Sequence, residues 1–254
     1  MPPLVLAQLT DLHVRAGDDD QTAARGLEAA VAAVLKLDPA PVAVLITGDL
    51  AEHGTADEYG LVRELLAPLT VPLHVLPGNH DDPALLASAF GTPGAHSVRA
   101  GPLRVVLCDT TLPDTDAGSM DRTRLEWLDT ELAAEPDTPT ILAMHHAPIP
   151  IGIAQLDTIG LPDADRAALA TLVAGYPQVQ RIVAGHVHRA AVGELGGRPV
   201  FICPSTYLQA KLDLTEPGEV VLVPEPAEFA IHVLTSGELT SHVVTLDGAA
   251  GLPG

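Results

Sequence analysis

Short runs of β-branched and other apolar residues alternate along this chain with longer stretches in which Ala, Leu and Glu recur at helical spacing. The apolar runs at 4–10, 42–47, 73–76, 103–108, 140–144 and 181–184 predict strands. Between them, 21–37, 56–69, 83–90, 122–135 and 163–175 predict amphipathic helices. Continuously apolar strands separated by helices imply an α/β fold whose sheet is covered on both faces. After Gly185 the pattern changes to short strands between turns, at 194–198, 220–224, 229–234 and 238–246, which suggests a second, more antiparallel sheet. With no repeat or low-complexity linker, one domain over 1–254 is expected. Its core at 4–190 carries the chemistry and its mainly β part lies at 191–248.

Composition narrows the partners. The 254 residues, 47% of them hydrophobic, suffice for one sizeable core. Asp and Glu total 33 against 13 Lys and Arg, a formal charge of −20, which repels polyanions over most of the surface. A nucleic acid polymer or an anionic membrane is therefore not an expected partner. Cys108 and Cys203 each lie inside an apolar run and read as buried small hydrophobes in a reducing compartment. Residues 1–10 carry no basic leader, and no apolar stretch approaches the roughly 18 residues of a spanning helix, so a cytoplasmic location is expected.

The residues able to bind metal fall at the ends of the predicted strands. Asp11 and His13 follow the first, Gly48-Asp49 the second and Gly78-Asn79-His80-Asp81 the third. His145-His146 and Gly185-His186-Val187-His188 follow the two strands at 140–144 and 181–184. Loops beyond the carboxyl ends of strands in α/β sheets gather on one edge, so these distant segments converge. The Asp11/His13 and His186/His188 spacings require extended or loop backbone, because residues two apart on a helix face nearly opposite ways. Glycines at 48, 78 and 185, each directly before a candidate, permit close approach to a metal pair.

Oxygens of three Asp or Asn residues and four imidazoles exceed what one catalytic ion takes, so two ions fit better. Asp49 can bridge them, at the roughly 3.5–4 Å separation at which a metal pair clamps an in-line displacement. Hydroxide held between the ions is the expected nucleophile. Carboxylate, amide and imidazole donors without thiolate suit manganese, iron or zinc and do not choose among them.

In order, Asp11-x-His13, Gly48-Asp49, Gly78-Asn79-His80-Asp81, His145 and Gly185-His186-x-His188 resemble the motif set of the calcineurin-like metallophosphoesterases. The segments LAMHHAPIP (142–150), AGHVHRA (184–190) and CPSTYLQAKLDL (203–214) are similar to the branch containing class III cyclic nucleotide phosphodiesterases and glycerophosphodiesterases. The resemblance implies a four-layer αββα sandwich with mixed sheets. It implies that Asp11, His13, Asp49 and His188 hold one ion, and that Asp49, Asn79, His145 and His186 hold the other. It also makes His80 the catalytic histidine, stabilising phosphoryl oxygens or protonating the leaving alkoxide, with Asp81 orienting it.

The implied activity is metal-dependent phosphodiester hydrolysis, foremost of 3′,5′-cyclic nucleotides. The alternatives are a glycerophosphodiesterase or other small phosphodiester or phosphomonoester hydrolase, and a catalytically silent metal-binding relative. The complete ligand set and His80 count against the last. The resemblance further implies a small phosphodiester as partner and a homodimer. Where the branch often has His-His-Pro-Pro, this chain has His145-His146-Ala147-Pro148. His145 is read as ligand and His146 as its substrate-side neighbour. The opposite assignment stays open, because adjacent residues on an extended segment point opposite ways. Ser205 and Tyr207, with Asn79, are expected to line the substrate pocket. Arg15, Arg99 and Arg189 are candidate phosphate contacts that read first as solvated charges, and Glu52 and His53 read as a loop pair.

Overall fold

The computed structural model describes residues 3–17, 21–215 and 220–246. The chain begins with β1 (Leu4–Leu9), α1 (Thr22–Val34), β2 (Ala43–Thr47), α2 (Ala56–Leu66), β3 (Leu73–Leu76) and α3 (Pro83–Phe90). It continues through β4 (His96–Ala100), β5 (Leu103–Cys108), α4 (Arg122–Ala134), β6 (Thr140–Met144), α5 (Ala154–Thr158) and α6 (Asp163–Ala174). The remaining elements are β7 (Val179–Ala184), β8 (Ala191–Leu195), β9 (Arg198–Ile202), β10 (Gln209–Ala210), β11 (Leu222–Val223), β12 (Glu228–Thr235) and β13 (Glu238–Thr245).

Local chemistry sets several boundaries. At α2, Thr55 and Glu58 form a reciprocal capping box that satisfies a free N–H at each position. Asp82 caps α3 by accepting from Ala84 N and Leu85 N, Pro83 opens the helix, and Gly91 closes it at φ 69°.

Two sheets pack face to face. The first runs β13-β12-β1-β2-β3 and the second β4-β5-β6-β7-β9-β8, while β10 and β11 pair separately. β1, β2 and β3 are mutually parallel, as are β5, β6, β7 and β9. Between the sheets, Leu6, Leu45 and Leu76 meet Val105, Leu107, Ile141 and Val183. Outside the first sheet, Leu9, Val44 and Ile46 pack on Leu27 and Val31 of α1 and Tyr59 and Val62 of α2. Outside the second, Val106, Leu142 and Ile182 pack on Leu128 of α4 and Leu169 of α6. Strands apolar on both faces are thus covered twice, giving the four-layer αββα sandwich. Each fully buried Leu, Ile or Val adds about 1.5–3 kcal/mol.

Apart from the short antiparallel pair β10–β11, the C-terminal strands do not form a sheet of their own. β12 pairs antiparallel with β1 and extends the first sheet, while β8 and β9 extend the second. The strand expected at 194–198 instead centres on a turn, where Gly196 and Gly197 take φ of 57° and 75° between β8 and β9. β4 and the short α5 add elements without a clear apolar period. Of the C-terminal part expected at 191–248, residues 216–219 and 247–248 lie outside the described residues. No helix among the described residues is long and apolar enough to cross a membrane.

Between the sheets, His232 Nε2 lies 2.9 Å from Gln8 Oε1 and His232 Nδ1 2.8 Å from Ser241 Oγ. Since Gln8 Oε1 only accepts, Nε2 donates to it and Nδ1 accepts from the Ser241 hydroxyl, which is the neutral imidazole. Burial, followed by the charges of Arg181 and His242, lowers the His232 pKa to about 3. A folded-state value below the unfolded one means that the unfolded chain binds the extra proton. The stability this residue confers is therefore complete above the ordinary value of 6.5 and is lost as pH falls toward 3. Urea unfolding at successive pH values should show His232→Asn lessening the acid slope between pH 6 and 4 by up to about 1.4 kcal/mol per pH unit. An unchanged slope contradicts the buried neutral state.

Candidate metal centre

The parallel strands of both sheets deliver their carboxyl-terminal loops to one rim. β1 leads into Asp11 and His13, β2 into Asp49, β3 into Asn79 and His80, β6 into His145 and His146, and β7 into His186 and His188. Among the described residues seven non-glycine positions have positive φ, and five are candidate ligands: Asp11 (52°), His13 (47°), Asp49 (52°), His186 (69°) and His188 (51°). Left-handed backbone costs an L-residue roughly 1–2 kcal/mol. This concentration of strain marks the rim as the place where geometry is imposed by surrounding structure.

Hydrogen bonds between loops hold these conformations. Asp11 N donates to Gly48 O at 3.0 Å, and Leu12 N and His13 N both donate to Asp49 O, at 2.8 and 3.0 Å. Gly185 N donates to His145 O at 3.0 Å, and His186 N donates to the Asp11 carboxylate at 3.0 and 3.1 Å. The loops also approach too closely for side chains. A Cβ on Gly78 would lie 2.2 Å from Asp49 Oδ1, and one on Gly185 would lie 2.0 Å from Thr10 Oγ1.

The far nitrogens of the imidazoles fix which atoms face inward. His13 Nδ1 donates to Glu52 Oε2 (2.7 Å), His188 Nδ1 to Leu208 O (2.9 Å) and His145 Nδ1 to Thr47 O (2.8 Å). In its neutral form each ring presents an Nε2 lone pair to the centre. His13 Nε2 and His188 Nε2 are 2.9 Å apart, and they lie 3.6 Å from Asp49 Oδ2 and Asp11 Oδ1 respectively. On the other side, Asn79 Oδ1 is 3.0 Å from both His145 Nε2 and His186 Nδ1, and His145 Nε2 is 3.4 Å from Asp49 Oδ2. His186 Nε2 is buried with no hydrogen-bond partner among the described residues.

Acceptors this close repel one another unless positive charge is placed among them. Burial opposes protonation of His145, yet the charge and hydrogen bond of Asp49, with the charge of Asp11, raise its pKa to about 9. The set therefore fits metal ions: borderline donors, fixed tautomers, and one carboxylate oxygen facing both groups.

The family model for calcineurin-like phosphoesterases matches residues 4–190. The chain belongs to the calcineurin-like phosphoesterase family. It is 33% identical to the 3′,5′-cyclic adenosine monophosphate phosphodiesterase CpdA of Pseudomonas aeruginosa, over 81% of this chain and 77% of the relative. It is 29% identical to the glycerophosphodiester phosphodiesterase GpdQ of Enterobacter lignolyticus, over 81% of this chain and 78% of that one. A dimetal phosphatase from Danio rerio superposes with a TM-score of 0.72, covering 96% of this chain and 98% of its own, at 16% identity, and so shares the fold.

In this phosphoesterase the structure brings Asp11, His13, Asp49, Asn79, His145, His186 and His188 together, with His80 beside them. The His80 and His13 ring centroids are 4.8 Å apart. Three other residues expected at the site make contacts that differ from those anticipated. Asp81 does not touch the His80 ring, whose Nδ1 donates to Glu52 O at 3.0 Å. Its carboxylate instead accepts from Gly78 N (2.9 Å), Leu50 N and Ala51 N (3.2 Å each) and the Tyr59 hydroxyl (3.1 Å), pinning the β2 loop to the β3 loop.

His146 does not line the cavity over the centre. It is fully buried, Nε2 donates to Asp116 O (3.0 Å), and Nδ1 accepts from the Thr110 hydroxyl (2.8 Å). Burial and the neighbouring His145 lower its pKa to about 3, so it stays neutral. Ser205, also buried, donates to Asp11 O at 2.7 Å and accepts from Tyr207 N at 2.9 Å, supporting the Asp11 loop from behind. Tyr207 and Asn79 do line the cavity over the centre, and Arg15 does too. Arg99 pairs with Glu135 and Arg189 with Glu225 (2.7 Å), and neither lines that cavity.

Glu52, read from sequence as half of a loop pair, proves to contact His13 and, through its carbonyl, His80. Its only sequence signal is an acidic residue three positions beyond Asp49. Asp81→Asn would set an amide donor against several N–H donors. Denaturant unfolding should show a loss of about 2–3 kcal/mol. Unchanged stability would contradict the role of Asp81 in pinning the two loops.

Proposed function

We propose that this phosphoesterase hydrolyses small phosphodiesters with a pair of divalent ions, and that 3′,5′-cyclic nucleotides are its preferred substrates. The convergence of two acceptor groups on Asp49 carries the reading. Asp11, His13 and His188 would hold one ion with Asp49, and Asn79, His145 and His186 the other. Manganese, iron or zinc suits these donors. When bound, such a pair supplies Lewis acidity to phosphoryl oxygens and lowers the pKa of water toward neutrality.

The remaining work falls to the chain. Asp49 accepts from His80 N at 2.9 Å, so the bridging carboxylate and the β3 loop are held as one unit. With Nδ1 committed to Glu52 O, His80 in its protonated form presents Nε2–H to the cavity that it lines. From there it donates to a phosphoryl oxygen or to the departing alkoxide. Tyr207, Leu156, Ile159, Val220 and Leu222 are among the residues lining the cavity. Aromatic and aliphatic lining gives a nucleoside base surface to pack on. Glycerol, polar throughout, gains nothing there. This favours cyclic nucleotides over the glycerophosphodiesters named for the Enterobacter relative.

Metal-stripped protein should hydrolyse bis(p-nitrophenyl) phosphate only after manganese is added, and faster than p-nitrophenyl phosphate. Its kcat/KM for 3′,5′-cyclic AMP should exceed that for a glycerophosphodiester by about tenfold or more, since a packed aromatic or aliphatic contact gains about 1.4 kcal/mol. Asp49→Ala and Asn79→Ala should fall to background while keeping the wild-type circular dichroism spectrum. Full activity in either variant sinks the site assignment, and a preference for the glycerophosphodiester overturns the substrate assignment.

A further inference from the structure

Glu52 joins three parts of the centre. The segment after Asp49 runs beside the segment after Asp11: Val14 N donates to Leu50 O and Glu52 N to Val14 O, both at 3.1 Å. This pairing sets the Glu52 side chain against its neighbours on the adjacent segment. One carboxylate oxygen accepts from His13 Nδ1 at 2.7 Å and the other from Arg15 Nη2 at 2.9 Å, while the main-chain carbonyl accepts from His80 Nδ1 at 3.0 Å. The carboxylate is 18% exposed.

We propose that Glu52 is a positioning residue for metal and substrate together: its carboxylate fixes His13 as a ligand and holds Arg15 against the cavity as a cationic contact for the phosphodiester. The inference rests on the dinuclear phosphodiesterase reading above. A carboxylate that orients a ligating imidazole raises the basicity of the ligating nitrogen. Beside an anion-binding site it would also repel substrate, and the Arg15 charge offsets that cost. Arg15 is the one Lys or Arg among the described residues lining the cavity, so in a chain of net charge −20 it is the side chain there with fixed positive charge. A guanidinium can hold the carboxylate and a phosphoryl oxygen at once through its several N–H groups.

The test titrates the metal-stripped full chain with manganese by calorimetry, then measures KM and kcat on bis(p-nitrophenyl) phosphate. In Glu52→Ala, and in Glu52→Met, which keeps the side-chain length, one of the two manganese affinities should fall about 10–100-fold and the other should hold. Glu52→Gln still offers an oxygen to His13 Nδ1–H but no charge to Arg15. It should keep both affinities within about threefold of wild type and raise KM about tenfold. Arg15→Gln should do the same, with a smaller change in kcat. Thermal melts establish which variants are folded.

Wild-type manganese affinities in folded Glu52→Ala or Glu52→Met overturn the proposal, as does a wild-type KM in both Glu52→Gln and Arg15→Gln. These outcomes leave the phosphodiesterase reading intact as long as the wild-type chain binds two ions and turns over the diester. A wild-type chain that does neither overturns that reading, and this inference with it.

Discussion

Seven acceptor atoms turned toward one another around Asp49 are the constraint on which the rest of the structure depends. Two carboxylates, one amide oxygen and four imidazole nitrogens lie within hydrogen-bond range or slightly beyond it of their neighbours. The proton on the far nitrogen of three of those rings is already committed to Glu52, Thr47 or Leu208. Such an arrangement is repulsive without positive charge at its centre. Five left-handed backbone positions add strain of roughly 1–2 kcal/mol each. The fold tolerates both because the surrounding layers and the ion-pair chemistry of the centre act on the same loops.

The layers supply the rigidity. Strands buried on both faces cannot slip by one residue without turning apolar side chains out of one core and into the other. Because β1, β2 and β3 are parallel in one sheet and β6 and β7 in the other, five loops emerge on a single rim. Asp81 then ties the β2 loop to the β3 loop, and Asp11 ties the β1 loop to the β7 loop through His186 N. Ligand geometry is thereby transmitted from a core that does not yield.

Much of this is legible in the sequence, for identifiable reasons. Double-sided burial writes continuous apolar runs, and the residues after those runs must stand at the strand ends, so the seven candidate ligands and His80 could be named from pattern and resemblance. The C-terminal strands were less legible. The Gly196-Gly197 turn lies inside the strand expected at 194–198, and which sheet β8, β9, β12 and β13 would join depends on pairing partners more than a hundred residues distant in the case of β12. Side-chain direction was least legible. His146, Ser205 and Asp81 sit in the right segments yet point into the supporting structure. Glu52 looked ordinary because its importance arises only when the 12–15 and 49–52 segments run side by side.

The most direct test of a dinuclear centre bridged by Asp49 is electron paramagnetic resonance of the chain reconstituted with manganese. Two ions per chain with an exchange-coupled spectrum, reduced to isolated-ion signals in Asp49→Ala, is the predicted result. A single ion per chain, or two ions whose spectrum shows no coupling in the wild-type protein, would contradict it.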